Sequence, residues 1–114
     1  MFDSVTAVAL TSALDGLAAR QRTIANNIAN VNTPNYHAKK VLFEDALAAS
    51  VADGTGTYVK AQTVTSTDPT GLNNNNVNLD TETLANIDTV LRYQFATQAI
   101  DGEAKSLRTA MRTA

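Results

Sequence analysis

The chain has 114 residues, a formal net charge of −2 and no cysteine, which excludes disulfides and thiol chemistry. Its length predicts a single domain over residues 1–114. Apolar residues make up 44% of the chain but aromatic residues only 5%, so the core is thin and partners are expected to bury part of the apolar surface. The near-neutral charge predicts no nucleic-acid partner. The sequence contains no apolar run of about 18 residues, so no transmembrane segment is predicted.

A repeat of apolar residues predicts a long amino-terminal helix within residues 1–32, from Asp3 or Ser4 to Asn30. The spacings of four, three, seven, four and three are typical of a heptad-like seam. Gly16 interrupts this helix, where it either weakens the helix or lets another backbone come close. The first ten residues carry an acid where a cleaved signal peptide has basic residues, so none is expected. The seam consists of Leu10, Leu14, Leu17, Ile24, Ile28 and Val31.

The helix is predicted to end in NNIANVNTPNY, residues 26–36, where five of eleven residues are Asn. Proline disfavours a helical conformation at the residue before it, and Asn readily adopts turn conformations, so a turn is predicted. Capping accounts for the last two Asn but leaves Asn26, Asn27 and Asn30 unexplained. Their amides, beside the apolar seam, favour an interface that fixes one helix register. The turn residues are Asn32, Thr33, Pro34 and Asn35.

Residues 33–78 are predicted to form the turn, a short helix and a flexible insert. The apolar pattern of VLFEDALAASV favours a helix from Val41 to Val51. TYVKAQTVT, residues 57–65, has the composition of a short strand or hairpin arm. Four consecutive Asn, at 73–76, are interpreted as a flexible loop.

Residues 79–114 are predicted to form a carboxy-terminal helix, with Asp80 as its N-cap and basic residues at its far end. Its apolar residues fall in two stripes on nearly opposite sides, with Gly102 at the joint, which is typical of a helix packed between partners. The predicted fold is therefore mainly α, with two long terminal helices in an antiparallel, coiled-coil-like pair around a short polar insert, partly irregular or β. The stripes are Leu84, Ile87, Leu91 and Phe95, then Ile100, Ala104, Leu107 and Met111.

Catalytic and metal-binding patterns are absent from the sequence, so no enzyme activity and no cofactor are predicted. His37 has no cysteine or acidic cluster nearby in the sequence and is interpreted as a surface or interface residue. Glu44 and Asp45 are adjacent and would point about 100° apart on a helix. Two alternatives stay open at this point: a hydrolase that uses these three residues, and a cytosolic helical binding module such as an export chaperone.

LDGLAARQRTIANNIANVNTPNY, residues 14–36, resembles the amino-terminal motif of the bacterial flagellar rod, hook and hook-associated proteins. NTPNYHAKKVLFEDAL, NNVNLDTE and LRYQ resemble further elements of the proximal rod members of this family. Asn35 stands where the family usually has Gly, and Thr83 where Met is common. These departures leave open which proximal rod protein is matched, and FlgC is one alternative.

This resemblance implies a structural subunit of the proximal rod, exported uncleaved through the flagellar type III export apparatus. It also implies terminal helices that stay largely disordered until they pack into a helical tube, which serves as drive shaft and continues the export channel. The expected neighbours are the rod proteins FlgC and FlgF, the rod–ring adaptor FliE and the MS ring protein FliF.

Overall fold

The computed structural model describes residues 4–113, apart from the side chains of Ser4, Glu103, Leu107 and Thr113. Two long helices pack as an antiparallel pair, and the segment between them contributes a two-stranded antiparallel sheet and a short helix. The molecule measures 66 × 25 × 14 Å and is thus a thin plate rather than a globule. The elements in chain order are α1 (Ser4–Ala29), β1 (Lys39–Leu42), α2 (Glu44–Asp53), β2 (Gln62–Thr65) and α3 (Leu79–Thr113).

The predicted helix from Val41 to Val51 is wrong at its start, because Val41 and Leu42 belong to β1. Val41 is buried in a core cluster with Leu17 of α1, and Leu42 pairs with Gln62 of β2. Burial of one side chain and pairing of the backbone both favour an extended conformation over a helical one. The helix α2 begins at Glu44 instead, where acidic residues suit the positive end of the helix dipole.

A small core lies between α1 and the insert, centred on the ring of Phe43. A Cβ atom at Gly16 would lie 2.6 Å from Phe43 Cδ1, so the ring fits only because this position has no side chain. The sequence left two roles open for Gly16, and the close approach is the one observed, by an aromatic side chain rather than a backbone. The cluster contains Leu17, Val41 and Phe43, flanked by Ala13, Ala19, Leu47, Val59 and Ala61.

The start of α3 also differs from the sequence prediction, because Asn78 rather than Asp80 caps it. The Asn78 Oδ1 atom accepts a hydrogen bond of 3.1 Å from the backbone N–H of Thr81, which is the geometry of an N-cap. Asp80 lies inside the first turn, where its charge favours the helix dipole without capping a donor.

Candidate assembly surfaces

The outer face of α3 carries its largest apolar side chains. Leu84, Ile87, Leu91 and Phe95 are 69%, 54%, 60% and 76% exposed. They lie three and four residues apart and therefore form one continuous stripe, here called the α3 outer row. Contiguous apolar surface of this kind marks an interaction site in a folded protein.

The face of α3 that packs on the rest of the chain is built from small residues. Ala85 is half-buried, while Thr89 and Ala96 are buried. The Thr89 hydroxyl donates to the Ala85 carbonyl oxygen at 2.7 Å, so its burial leaves no donor without a partner. Small side chains let α1 and α3 approach closely, and this close approach turns the large residues of α3 outward.

The second predicted stripe of α3 follows the inner side as far as the structure describes it. Ile100 and Ala104 are half-buried, whereas Met111 is 70% exposed near the end of the helix. The side chain of Leu107 lies outside the described residues. No residue from 97 to 112 whose side chain is described is buried, so this end of α3 has little cover from its own chain.

The predicted seam of α1 contacts the subunit's own interior to different degrees. Leu17 and Ile24 are buried, 4% and 5% exposed. The others are half-buried and keep part of their surface available to a neighbour. These are Leu10, Leu14, Ile28 and Val31.

Asn27 is the polar centre of the junction between α1, β1 and α3, and it is only 1% exposed. Its Nδ2 donates to the Lys39 carbonyl oxygen at 2.9 Å and to Glu82 Oε1 at 3.1 Å. Its Oδ1 accepts from the Lys39 backbone N–H at 3.0 Å and from the Tyr36 hydroxyl at 3.1 Å. The amide thereby joins the two long helices and closes one edge of β1.

The other Asn residues of the α1 terminus act more locally. Asn26 is exposed, and its backbone carbonyl oxygen accepts a hydrogen bond of 2.8 Å from Asn30 Nδ2. Asn30 Oδ1 accepts from the Thr33 hydroxyl, which tightens the turn. The turn itself is exposed at Asn32, Thr33, Pro34 and Asn35, and Asn35 has a φ of 63°, a left-handed conformation that Asn tolerates.

The run of four Asn at 73–76, interpreted from its composition as a flexible loop, lies in a loop and forms several hydrogen bonds to the rest of the chain. Asn75 is buried, and its Nδ2 donates to the carbonyl oxygens of Asn30 and Thr33, both at 2.8 Å. Asn76 Oδ1 accepts from the Ala38 N–H at 2.6 Å, and its Nδ2 donates to the Ser66 carbonyl oxygen. The run therefore fastens the carboxyl end of α1 to the sheet, since each amide supplies donors and an acceptor.

Arg20, which the sequence pattern did not single out, joins α1 to the insert. Its Nη2 donates to Glu44 Oε1 at 2.7 Å and to the Val41 carbonyl oxygen, and its guanidinium lies 4.9 Å from the Phe43 ring centre. The hydrogen bond from Arg20 lowers the pKa of Glu44 below its ordinary value. Arg92 of α3 approaches the same carboxylate at 3.8 Å.

Among residues 4–113, no three His, Cys, Asp or Glu side chains come together to hold a metal ion, and no helix is long and apolar enough to cross a membrane. Glu44 is engaged by Arg20, and His37 is half-buried with its Nε2 atom away from any described hydrogen-bond partner. The surfaces described above are suited to packing against other proteins.

Comparison with known proteins agrees with that assessment. The family described as "Flagella basal body rod protein" matches residues 9–37, which cover most of α1 and the turn. The flagellar basal body rod protein FlgB of Bacillus subtilis is 32% identical over 115 residues, covering 90% of this chain and 89% of the relative. FlgB of Escherichia coli is also 32% identical, covering 83% and 84%. FlgB of Borrelia hermsii is 53% identical over 38 residues, covering 33% of this chain and 28% of that protein.

Proposed function

The chain belongs to the FlgB family of flagellar basal body rod proteins, and we propose that it is a structural, non-enzymatic subunit of the proximal rod. The observation that carries this proposal is the α3 outer row, four large apolar side chains that are 54–76% exposed. An isolated subunit gains nothing by exposing them, whereas a subunit in a helical wall buries them against its neighbours.

The two terminal helices are the packing elements of this proposal, and residues 1–114 act as one rod domain. Contacts between different faces of successive subunits generate an open helical assembly when the rotation between subunits does not close a ring, and such an assembly forms a tube. Such a tube transmits torque as a drive shaft, and its lumen continues the export channel. The predicted interface residues on α1 and α3 that stay exposed or half-buried would lie between subunits, whereas Leu17, Ile24 and Asn27 are buried within each subunit, where Asn27 sets the position of the two helices.

Torque transmission requires a subunit that does not shear internally, and the polar contacts at the helix junction support this role. Asn27, Asn75 and Arg20 each link α1 to the segments that follow it through several hydrogen bonds. Charge-assisted and fully satisfied buried contacts of this kind rigidify a structure. They lie apart from the α3 outer row, so rigidity and assembly use different residues.

The proposed partners are the rod proteins FlgC and FlgF, the rod–ring adaptor FliE and the MS ring protein FliF. The proposed route to the rod is export through the flagellar type III apparatus without cleavage of a signal peptide. Support comes from the family and from the thin core, which leaves much of both long helices to be covered only in the assembly.

The decisive experiment follows a tagged subunit in its native host. We expect the tagged chain in purified, detergent-resistant basal bodies, at the size of the uncleaved protein, and loss of the rod when its gene is deleted. A chain that stays soluble in the cytosol while rods assemble normally would overturn the proposal and favour an export chaperone. His37→Ala tests the hydrolase alternative, because a purely structural protein predicts normal rods with no activity to lose, whereas a catalytic role for His37 predicts loss of a defined activity with intact assembly.

A further inference from the structure

The outer side of α1 carries a second row of residues that the rest of the subunit leaves largely uncovered. Its members lie four, three, four, three and four residues apart, which places them on one helix face. All are exposed except the half-buried Ala18, and half of them are alanines. This α1 outer row consists of Thr11, Asp15, Ala18, Arg22, Ala25 and Ala29.

The insert turns part of this row into a groove. The segment from Tyr58 to Ala61 runs beside α1, and the Tyr58 hydroxyl donates to Asp15 Oδ2 at 2.6 Å. Ala18 and Ala19 line the groove on the α1 side, and Tyr58, itself 49% exposed, lines the opposite side. A groove with alanine on one side and an exposed aromatic ring on the other accepts large apolar side chains.

We propose that the occupant of this groove is the α3 outer row of a second copy of this chain, lying antiparallel to α1. The inference rests on the proposed rod function and specifies which faces of two subunits meet. Within one subunit both rows are exposed on separate helices, so neither can cover the other. Between subunits, two leucines of the α3 outer row meet alanines of the α1 outer row, and Ile87 lies at the level of Arg22.

The spacing of the two rows is compatible with a defined register. Read from Leu84 to Phe95, the α3 outer row advances by three, four and four residues; read backwards from Ala25, the α1 outer row advances by three, four and three. Leu84 then faces Ala25, and Leu91 faces Ala18. Phe95 comes to the level of Asp15, where the Tyr58 ring offers an aromatic partner.

Charge agrees with the same register. Asp88 follows Ile87, so in this arrangement it lies within one residue of the level of Arg22, which is about 1.5 Å along the helix. Arg22 and Lys60 both line the groove, and neither forms an ion pair within the described part of the chain. Asp88 already pairs with Arg92 of its own helix at 2.9 Å, so in this docking the carboxylate is shared between Arg92 and the cations of the groove. A shift by one heptad that places Leu84 opposite Ala18 instead brings Asp88 to within one residue of the level of Asp15, another acid. The charges therefore favour the first register.

Cysteine cross-linking tests the contact directly, because the chain has no cysteine of its own. Ala18→Cys and Leu91→Cys are produced in the same cells with different tags, alongside enough wild-type chain to sustain rods. Basal bodies are purified and oxidised. We expect a disulfide-linked dimer that carries both tags, and no dimer from either variant alone, because the two faces differ.

Thr97→Cys is the matched control for Leu91→Cys. It is exposed on the same helix but lies about 120° around it from Leu91, so it should not cross-link to Ala18→Cys. Two results would overturn the inference: rods that contain both variants without the mixed dimer, or equal cross-linking through Thr97→Cys. Phe95→Cys with Asp15→Cys is a second pair at the same register. Absence of the chain from basal bodies would instead refute the proposed function, so the two failures are distinguishable.

Discussion

Helices α1 and α3 belong to one hairpin but are covered by the rest of the chain to different extents. Both use small residues where their own chain approaches: Ser12 and Gly16 on α1, Ala85 and Ala96 on α3. On α1 the insert supplies the large partner, the Phe43 ring. On α3 the approaching surface is α1 itself, and the large side chains of α3 remain on the outside.

Exposed large apolar side chains also occur on the insert, among them Leu42, Val51 and Leu72, but on α3 four of them form the continuous α3 outer row. Where α1 meets the insert and the start of α3, buried polar atoms find partners through Asn27, Asn75 and Arg20. On the side of α3 that faces away from α1, the large apolar side chains of the α3 outer row are left exposed by the rest of the described chain. A subunit built in this way is internally fixed on one side and available for assembly on the other.

Asn27→Leu should produce the largest loss of stability. Leucine removes four hydrogen bonds and leaves both polar groups of Lys39 without their partner, at a cost of about 3 kcal/mol. Urea unfolding of the purified subunit, followed by circular dichroism, measures it. The neighbouring Asn26→Leu is the control, since Asn26 is exposed and should change stability by less than about 0.5 kcal/mol. Equal losses of stability in the two variants would show that the hydrogen bonds of Asn27 stabilise the subunit no more than an exposed side chain does.

The two helical glycines separate close packing from helix propensity. Gly16→Ala gains about 1 kcal/mol in propensity but forces a Cβ against the Phe43 ring, and overpacking costs typically 1–3 kcal/mol, so we expect a net loss of about 1 kcal/mol. Gly102→Ala meets nothing within 4 Å and should gain about 0.5–1 kcal/mol. Thermal unfolding of both variants checks the opposite signs; stabilisation by Gly16→Ala would mean that Phe43 has room to move.

Glu44→Gln tests the electrostatic part of the α1–insert contact. Because Arg20 lowers the pKa of Glu44 in the folded state, the carboxylate contributes stability that is fully present above its ordinary pKa. That contribution is lost as the pH falls through the lowered pKa. At pH 7 we expect the free energy of unfolding of the wild type to be about 0.5–1 kcal/mol higher than that of Glu44→Gln, as for a partly exposed ion pair. In acid this difference should vanish. Urea unfolding of both chains across this pH range measures it. A difference that is independent of pH would assign the effect to packing.

Much of this organisation could be read from the sequence. The apolar seam of α1, the Asn-Pro turn and the helical character of α3 depend on local spacing, and the structure has all three. The fit of Phe43 against Gly16 could not be predicted, because the two are far apart in sequence and only the fold brings the ring to the gap. The Asn run at 73–76 has the composition of a loop, and its hydrogen bonds to α1 and Ala38 depend on tertiary structure.

The orientation of α3 was the least predictable feature. Its pattern showed two apolar sides but not which one faces α1, since apolar periodicity identifies a face and not its partner. The close approach to α1 favours the side with Ala85, Thr89 and Ala96. An ordinary hairpin would have turned Leu91 and Phe95 inward, and this difference is the clearest indication that the subunit is made to be covered by others.

Leu91→Gln combined with Phe95→Gln should have the smallest effect on the stability of the subunit. Both side chains are mostly exposed, so the free energy of unfolding should change by less than about 0.5 kcal/mol, while incorporation into basal bodies fails. Ala96→Gln is the matched control: it adjoins Phe95 but is buried, so the longer side chain should destabilise the subunit by about 1–3 kcal/mol. Chemical unfolding and basal-body fractionation of the three chains separate the two effects. If the double variant lost stability as Ala96→Gln does, the α3 outer row would belong to the interior of the subunit; if it assembled normally, the row would not be an assembly surface.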